Sequence, residues 1–293
     1  MMQQDNGRLY GLIDGAQYPE AVAPWVFAFS PEVRSLFEGL PEEDAGNAAP
    51  LLFEIDNLHA EWMRQIDQMD QYRPCLTVLR SPLEIDDLKT HLQRFLFADI
   101  GDGMVVLLRF FDPRTLPSLL ATLSEDLRAA LTAPILAWLY RGGVCAWQHV
   151  EIGENHRSQS VEPPTVSLTS AQLDQLEQCD EPYTLMSELS RLNLFDDAQP
   201  YATKFQDFVR RYNRAVQWGL SSRLDRQMYC VASYQYGEQF DQTGFIQGAI
   251  LASAAGKRPL AELFGEISDQ AWQHIAEICR IHEHHTGPSG LNS

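Results

Sequence analysis

The chain has 293 residues, of which 45% are hydrophobic and 10% aromatic, so it carries enough apolar material for one large domain or two smaller ones. Its formal net charge of -18 at pH 7 would repel nucleic-acid backbones and anionic membranes, so neither is an expected partner. No segment reaches the roughly 18 consecutive apolar residues of a membrane span, and the first residues lack a secretory signal pattern, so we expect a cytoplasmic protein.

The first half of the chain alternates strand-like and helix-like patterns. Short apolar runs bounded by turn residues predict strands at 9–13, 51–55, 76–79, 134–140 and 144–152. A helix is predicted over 83–97, with Ser81 as its cap and Pro82 at its first position. Strands interleaved with helices predict an α/β lobe over 1–152, with a mixed sheet flanked by helices.

The run at 104–111 is apolar at almost every position. Such uniformity predicts a strand in the middle of a sheet covered on both faces. Arg109 interrupts the run, and an unpaired guanidinium in that environment would cost several kcal/mol. We therefore expect an ion pair with Asp112 or Asp14, and a structural role is favoured over a functional one.

The second half of the chain has a helical pattern. It is preceded by a polar stretch at 153–164 that ends in a Pro pair, and this stretch is predicted to be a linker. Thr169 and Gln172 have the spacing of a capping box that opens a helix. The predicted helices are 169–178, 182–194, 201–221, 225–240, 243–255 and 268–284. Residues 165–293 should then form an all-α lobe.

Motifs of catalysis are missing from this sequence. It has no Gly-x-Ser-x-Gly elbow, no phosphate-binding Gly-rich loop and no Cys-x-x-Cys pair among its five cysteines. The alternative to a non-enzymatic protein is a metal-dependent hydrolase that uses His282, His284 and His285 near the C-terminus, with His274 two turns upstream. Cations at a helix C-terminus are also favoured by the helix dipole, so we expect no catalytic residue, metal or cofactor.

A basic stripe is predicted on the helix at 201–221. Its members are Lys204, Arg210, Arg211 and Arg214. The opposite, apolar face is predicted to comprise Phe205, Phe208, Val209, Tyr212, Ala215 and Val216. Arginines on an otherwise acidic protein can dock an acidic partner surface through bidentate contacts. The alternatives are an ordinary solvated face or an intramolecular contact to the acidic first half of the chain.

Five segments taken together resemble one protein family. In chain order they lie at 9–17, 35–39, 49–52, 91–92 followed by 102–103, and 108–114, and the last, Leu-Arg-Phe-Phe-Asp-Pro-Arg, is the strongest. Their order and spacing are similar to the effector adaptor domain (Tap, or effector chaperone) of bacterial type VI secretion systems. The resemblance covers roughly residues 9–140, and the helical lobe resembles the extension that such proteins carry.

The resemblance implies a non-enzymatic protein that binds a secreted effector. Such a protein would help to load the effector onto the VgrG and PAAR spike proteins and would remain in the cytoplasm. The family has no catalytic residues to transfer to this chain. Its motif residues are interpreted as fold determinants rather than contacts, and they are Asp14, Gly15, Arg109, Asp112, Pro113 and Arg114.

Overall fold

A computed structural model describes residues 7–152 and 165–286, except for the side chains from 281 onward. The chain forms two compact units. The N-terminal unit comprises Met1–Asp180 with Gln199–Ala202, and the helical unit comprises Glu181–Ala198 with Thr203–Ser293. The division therefore falls after Asp180, beyond the predicted linker at 153–164, which lies outside the described residues.

The predicted fold class, an α/β lobe followed by an all-α lobe, is confirmed. The strands are β1 (Arg8–Asp14), β2 (Val33–Ser35), β3 (Pro50–Glu54), β4 (Leu76–Ser81), β5 (Phe97–Gly101), β6 (Met104–Leu107), β7 (Ala137–Tyr140) and β8 (Gln148–His149). The helices of this unit are α1 (Val22–Phe29), α2 (Glu61–Tyr72), α3 (Ile85–Gln93), α4 (Leu116–Thr122) and α5 (Glu125–Thr132). Two short 3-10 helices lie at Gly15–Gln17 and Pro41–Ala48.

The main sheet has six strands in the order β2-β3-β1-β4-β7-β8. Every neighbouring pair is antiparallel, whereas a mixed sheet was predicted. The physical reason is that α2 connects β3 and β4, which flank β1 on opposite sides. Strands β3 and β4 run parallel to each other, but β1 lies between them and is antiparallel to both, so no two neighbouring strands are parallel.

Side chains alternate between two faces of this sheet, as the strand period requires. Tyr10 and Leu12 of β1 pack on one face with residues of α3, α4 and α5. Ile13 of β1 and Phe53 of β3 pack on the other face with residues of α1 and α2. Both faces are thus covered by helices, and β1 and β4 lie at the centre.

The prediction of one long central strand at 104–111 is wrong. Only Met104–Leu107 is a strand, and it pairs with β5 in a separate two-stranded sheet. The apolar residues of this run lie in two different environments. Leu108, Phe110 and Phe111 are buried in the core of the N-terminal unit, whereas most of β6 is exposed.

Two local predictions near the sheet also need correction. Ser81 belongs to β4 and caps no helix; its hydroxyl donates to the Pro134 carbonyl at 2.7 Å and accepts from the Leu83 amide at 3.2 Å. The helix begins later, at Ile85. The strand predicted at 144–152 is reduced to Gln148–His149, which pairs with the end of β7.

The helices after the N-terminal lobe are α6 (Ser170–Ser190), α7 (Tyr201–Gln217), α8 (Arg223–Tyr236), α9 (Gly244–Ala254), α10 (Leu260–Gly265) and α11 (Asp269–Thr286). The capping box is confirmed, because the Thr169 hydroxyl accepts from the Gln172 amide and the Gln172 side chain accepts from the Thr169 amide. The two helices predicted on either side of Pro182 are one helix, which continues through that residue. Helix α10 was not predicted. The core of the helical unit contains Phe240, Ile246, Ile250, Leu260, Phe264 and Trp272.

Candidate functional site

The motif at 109–114 lies in the irregular segment that joins β6 to α4. Arg109 Nη2 lies 2.9 Å from Asp14 Oδ2 and 3.0 Å from Asp112 Oδ2. Both aspartates have side chains that are only 1% exposed, whereas the Arg109 side chain is 43% exposed. The predicted pairing of Arg109 is therefore confirmed with both candidate partners.

Arg114 completes this cluster from within the motif. Its Nε and Nη2 donate to the two carboxylate oxygens of Asp112 at 2.9 and 2.8 Å, and its backbone amide donates to Asp112 Oδ1 at 3.0 Å. Burial alone would lower the pKa of the Arg114 guanidinium, but the hydrogen bonds and charge of Asp112 raise it above its ordinary value. Asp112 thus pairs with two arginines, one of which also pairs with Asp14, and it fixes the turn that precedes α4.

Asp14 and Gly15 fix the end of β1. Asp14 Oδ1 accepts from the Ala16 amide at 3.2 Å and thereby caps the 3-10 helix that follows. A side chain at Gly15 would place its Cβ 2.3 Å from the Ala49 carbonyl oxygen, so only glycine fits there. The Pro113 carbonyl oxygen lies close to Gly142, where a Cβ would be only 2.9 Å from it. These contacts support the interpretation of the motif residues as fold determinants.

Sequence reasoning missed Asp180, a half-buried residue of α6 in the same unit. Burial, and then the charge of Asp112, raise its pKa from 3.8 to about 6, although Arg109 and Arg114 lower it. Helical periodicity places Asp180 on α6 but gives no sign of these neighbours, which come from a distant part of the chain. Asp180 is thus influenced by the charges of the motif residues, although it lies outside the motif itself.

Asp180 is expected to destabilise the native state at neutral pH. A raised pKa means that the folded protein holds the proton more tightly than the unfolded chain. The free-energy cost of ionising this carboxyl group in the folded state is therefore absent below pH 3.8, grows between pH 3.8 and about 6, and is complete above that. Allowing for solvent screening, we expect Asp180→Asn to add about 1 kcal/mol to the free energy of unfolding at neutral pH. Urea unfolding near pH 7 and near pH 3.5 measures this, and an equal gain at both pH values would contradict it.

A second buried ion pair in the N-terminal unit was also missed. Asp70 is fully buried and accepts hydrogen bonds from the Cys75 and Leu76 amides and from Arg141 Nε, at 2.7, 2.8 and 2.9 Å. Arg141 also binds Asp67 at 2.7 Å and lies over a tryptophan ring. Burial raises the pKa of Asp70, although Arg141 and both amides oppose the shift. This pair links α2 to β4 and to the end of β7.

The predicted basic stripe on α7 is not a continuous exposed face. Lys204 is buried, with its Nζ 3.7 Å from Asp197, and Arg211 is largely buried. Val216, which was predicted on the apolar face, is 47% exposed. The error has a physical reason: the arginine and lysine stems cover apolar surface while their charged ends reach partners on neighbouring segments.

All three arginines of α7 have carboxylate partners within the helical unit. Arg210 binds Glu238 through Nε at 2.7 Å and also pairs with Asp207. Arg211 donates to Asp207 at 2.9 Å and to the Ser233 carbonyl at 2.8 Å. These arginines do make intramolecular contacts, but with residues of the helical unit rather than with the acidic first half of the chain. The partner-binding role of these residues stays a prediction.

Arg214 takes part in the most buried polar cluster of the helical unit. Its Nε and Nη2 donate to the two oxygens of Asp241 at 2.7 and 2.6 Å. Asp241 is fully buried and also accepts from Trp218 Nε1 at 2.7 Å and from the Tyr229 hydroxyl at 2.5 Å. Burial and then this bond to Asp241 raise the pKa of Tyr229. Sequence reasoning missed this cluster, because Asp241 lies outside the regular helices.

The histidines proposed for the metal-dependent alternative lie at the end of the chain. Residues 282–285 belong to α11, but their side chains lie outside the described part of the structure, as do residues 287–293. Within the described residues no group of three His, Cys, Asp or Glu side chains is arranged to hold a metal ion.

Two cavities have volumes of about 70 and 200 Å³. Asp70 and Arg141 line the smaller cavity, in the N-terminal unit, and Gln242 and Ile275 line the larger, in the helical unit. Neither cavity reaches the roughly 300 Å³ of a typical small-molecule site, so neither indicates a small-molecule ligand. Among the described helices, none combines the length and apolar composition that crossing a bilayer requires.

Comparison with known proteins gives one match. Residues 9–130 match the family model described as a domain of unknown function (DUF4123). This span begins in β1, ends within α5 and contains the whole motif cluster at Asp14 and 109–114. No curated protein and no solved structure matches the chain. The chain is thus an α/β unit, of which residues 9–130 are similar to this family model, followed by a helical unit.

Proposed function

We propose that this protein is a non-enzymatic cytoplasmic adaptor of a type VI secretion system. It would bind a secreted effector and help to load it onto the VgrG and PAAR spike. The observation that carries the proposal is the DUF4123 match over residues 9–130, because the same span holds the five segments that resemble the adaptor family.

The arrangement of the motif residues supports recognition elsewhere on the surface. Asp14, Asp112 and Arg114 are engaged in intramolecular bonds and have little exposed surface. Large apolar side chains are exposed at other places in both units, as expected for a protein that binds other proteins. They include Phe27, Phe29, Val105, Leu224 and Phe245, each more than half exposed.

Arg210 is the residue of the predicted stripe best placed to meet a partner, since its side chain is 57% exposed. We expect Arg210→Ala to weaken effector binding by about two- to fivefold, because an exposed ion pair contributes up to about 1 kcal/mol. Lys257→Ala, at an exposed site in the same unit, is the matched control. Titration calorimetry measures both affinities, and equal affinities of the two variants would show that Arg210 does not contact the effector.

Co-expression tests the proposal directly. The protein is expressed with the effector and spike proteins encoded beside its own gene, and complexes are isolated through a tag on the adaptor. A stoichiometric complex with the effector is the expected result. Failure to bind any effector, PAAR or VgrG protein of its gene cluster would contradict the proposal.

A further inference from the structure

Within the described residues, one outer edge of the β5–β6 hairpin is hydrogen-bonded to another segment and the other outer edge is not. The outer edge of β5 is occupied: the Asp99 amide donates to the Val166 carbonyl, and the Leu168 amide donates to the Asp99 carbonyl, both at 2.9 Å. No such partner lies along β6 within the described residues, where its backbone bonds are those to β5.

The register of the hairpin shows which groups of β6 point outward. The Leu108 amide donates to the Leu96 carbonyl at 2.7 Å, so these two residues form a hydrogen-bonded pair. Hydrogen-bonded and non-bonded pairs alternate in an antiparallel ladder. The next bonded pair is therefore Ala98 with Val106. The amide and carbonyl groups of Val105 and Leu107 consequently point away from β5, toward the open edge.

The side chains of this edge are apolar and exposed. Met104 is 55% exposed, Val105 is 64% exposed and Leu107 is 38% exposed. Exposed edge strands are usually protected by lysine, proline or an inward-pointing charge, and β6 has none of these. A short strand with unpaired outward amides and exposed valine and leucine side chains is a template for one more strand.

The charge around the edge indicates the chemistry of that strand. Asp99, opposite Val105 in β5, and Asp102, in the turn of the hairpin, are both exposed, and the whole chain has a net charge of -18. A second copy of the chain would bring the same negative charge to the edge. A segment with basic residues is attracted instead. Because Asp99 pairs with Val105, it lies on the same face as Val105 and Leu107, so the basic residues of the segment would lie on this face. Apolar residues at the alternate positions would lie on the other face, beside Val106, which packs against the core.

We propose that β6 accepts, by antiparallel or parallel strand addition, an extended segment of a partner protein in which apolar and basic residues alternate. This inference rests on the proposed adaptor function, where the effector or spike protein supplies the segment. Main-chain bonds to Val105 and Leu107 give the register, and Asp99 and Asp102 select the basic side chains.

A labelled peptide tests the edge without the natural partner. The probe is a nine-residue peptide that alternates Val with Lys or Arg, and fluorescence anisotropy measures its binding to the full-length protein. The controls are the same peptide with Glu at every basic position and with Pro at the central Val. We expect binding of the basic peptide only. Equal binding of all three peptides, or of none, would overturn the proposal.

Two substitutions at one residue locate the binding on β6. Val105→Pro removes an outward amide and no bond of the hairpin, so the fold should persist. Val105→Lys keeps the amide and adds a charge that repels the basic segment. Leu224→Lys, at a residue 66% exposed in the helical unit, is the matched control. We expect about tenfold weaker peptide binding for both Val105 variants and no change for the control.

The same variants separate this proposal from the adaptor function. If the effector binds the unchanged protein and both Val105 variants equally well, the edge proposal is wrong and the adaptor function stands. If no effector binds but the peptide result is as expected, the adaptor function fails and the edge remains a binding site. A concentration-dependent dimer in light scattering that Val105→Lys abolishes would show that a second copy occupies the edge, which also overturns the proposal.

Discussion

Replacing Asp112 by alanine is expected to lower the free energy of unfolding by about 3–5 kcal/mol. The carboxylate is almost fully buried and binds Arg114 through both of its oxygens and Arg109 through one. Its loss leaves the largely buried Arg114 guanidinium without that partner, and it removes the bond that shapes the turn before α4.

Urea unfolding followed by tryptophan fluorescence measures this change. Asp56→Ala is the control, because Asp56 is exposed in the same unit and its removal should change stability by less than about 0.5 kcal/mol. A loss of less than about 1 kcal/mol for Asp112→Ala would show that the motif does not hold this part of the fold together.

Replacing Asp241 by alanine should have an effect of similar size in the helical unit, about 3–5 kcal/mol. The fully buried carboxylate accepts four hydrogen bonds, from Arg214, Trp218 and Tyr229. Alanine leaves a cavity and unsatisfied donors on all three residues.

Asp241→Asn is the graded control for this experiment. The amide keeps the size and one acceptor oxygen but loses the charge, so we expect a smaller loss than for alanine. Hydrogen exchange at amides of α7 and α8 reports the stability of the helical unit separately. Unchanged protection in Asp241→Ala would contradict the role assigned to this cluster.

The central strands of the main sheet could be predicted because their patterns depend on burial alone, whereas the edge strand β2 was not predicted. The apolar runs of β1, β3 and β4 are central strands covered by helices, and the turn residues indicated the ends of these strands correctly. The pairing of Arg109 could also be predicted, since a guanidinium beside a buried segment needs a carboxylate and Asp14 and Asp112 stood at neighbouring element ends. The antiparallel order could not, because it depends on which strands α2 connects.

The hairpin shows where pattern reasoning fails. Val105 and Phe110 belong to the same apolar run, yet one is exposed on an edge strand and the other is fully buried. An apolar side chain is equally consistent with a core and with a binding surface, so periodicity cannot separate the two. In α7, likewise, Lys204 and Arg211 are charged but face inward, because Lys204 pairs with Asp197 and Arg211 donates to Ser233, both outside this helix.

The adaptor function is tested most directly in the bacterium, by deleting the gene for this protein and assaying the secreted proteins. If the protein loads an effector onto the spike, its effector should disappear from the secreted fraction while the VgrG protein is still secreted. Expression of the intact gene from a plasmid should restore effector secretion. Effector secretion at the level of the undeleted strain would contradict the proposed function.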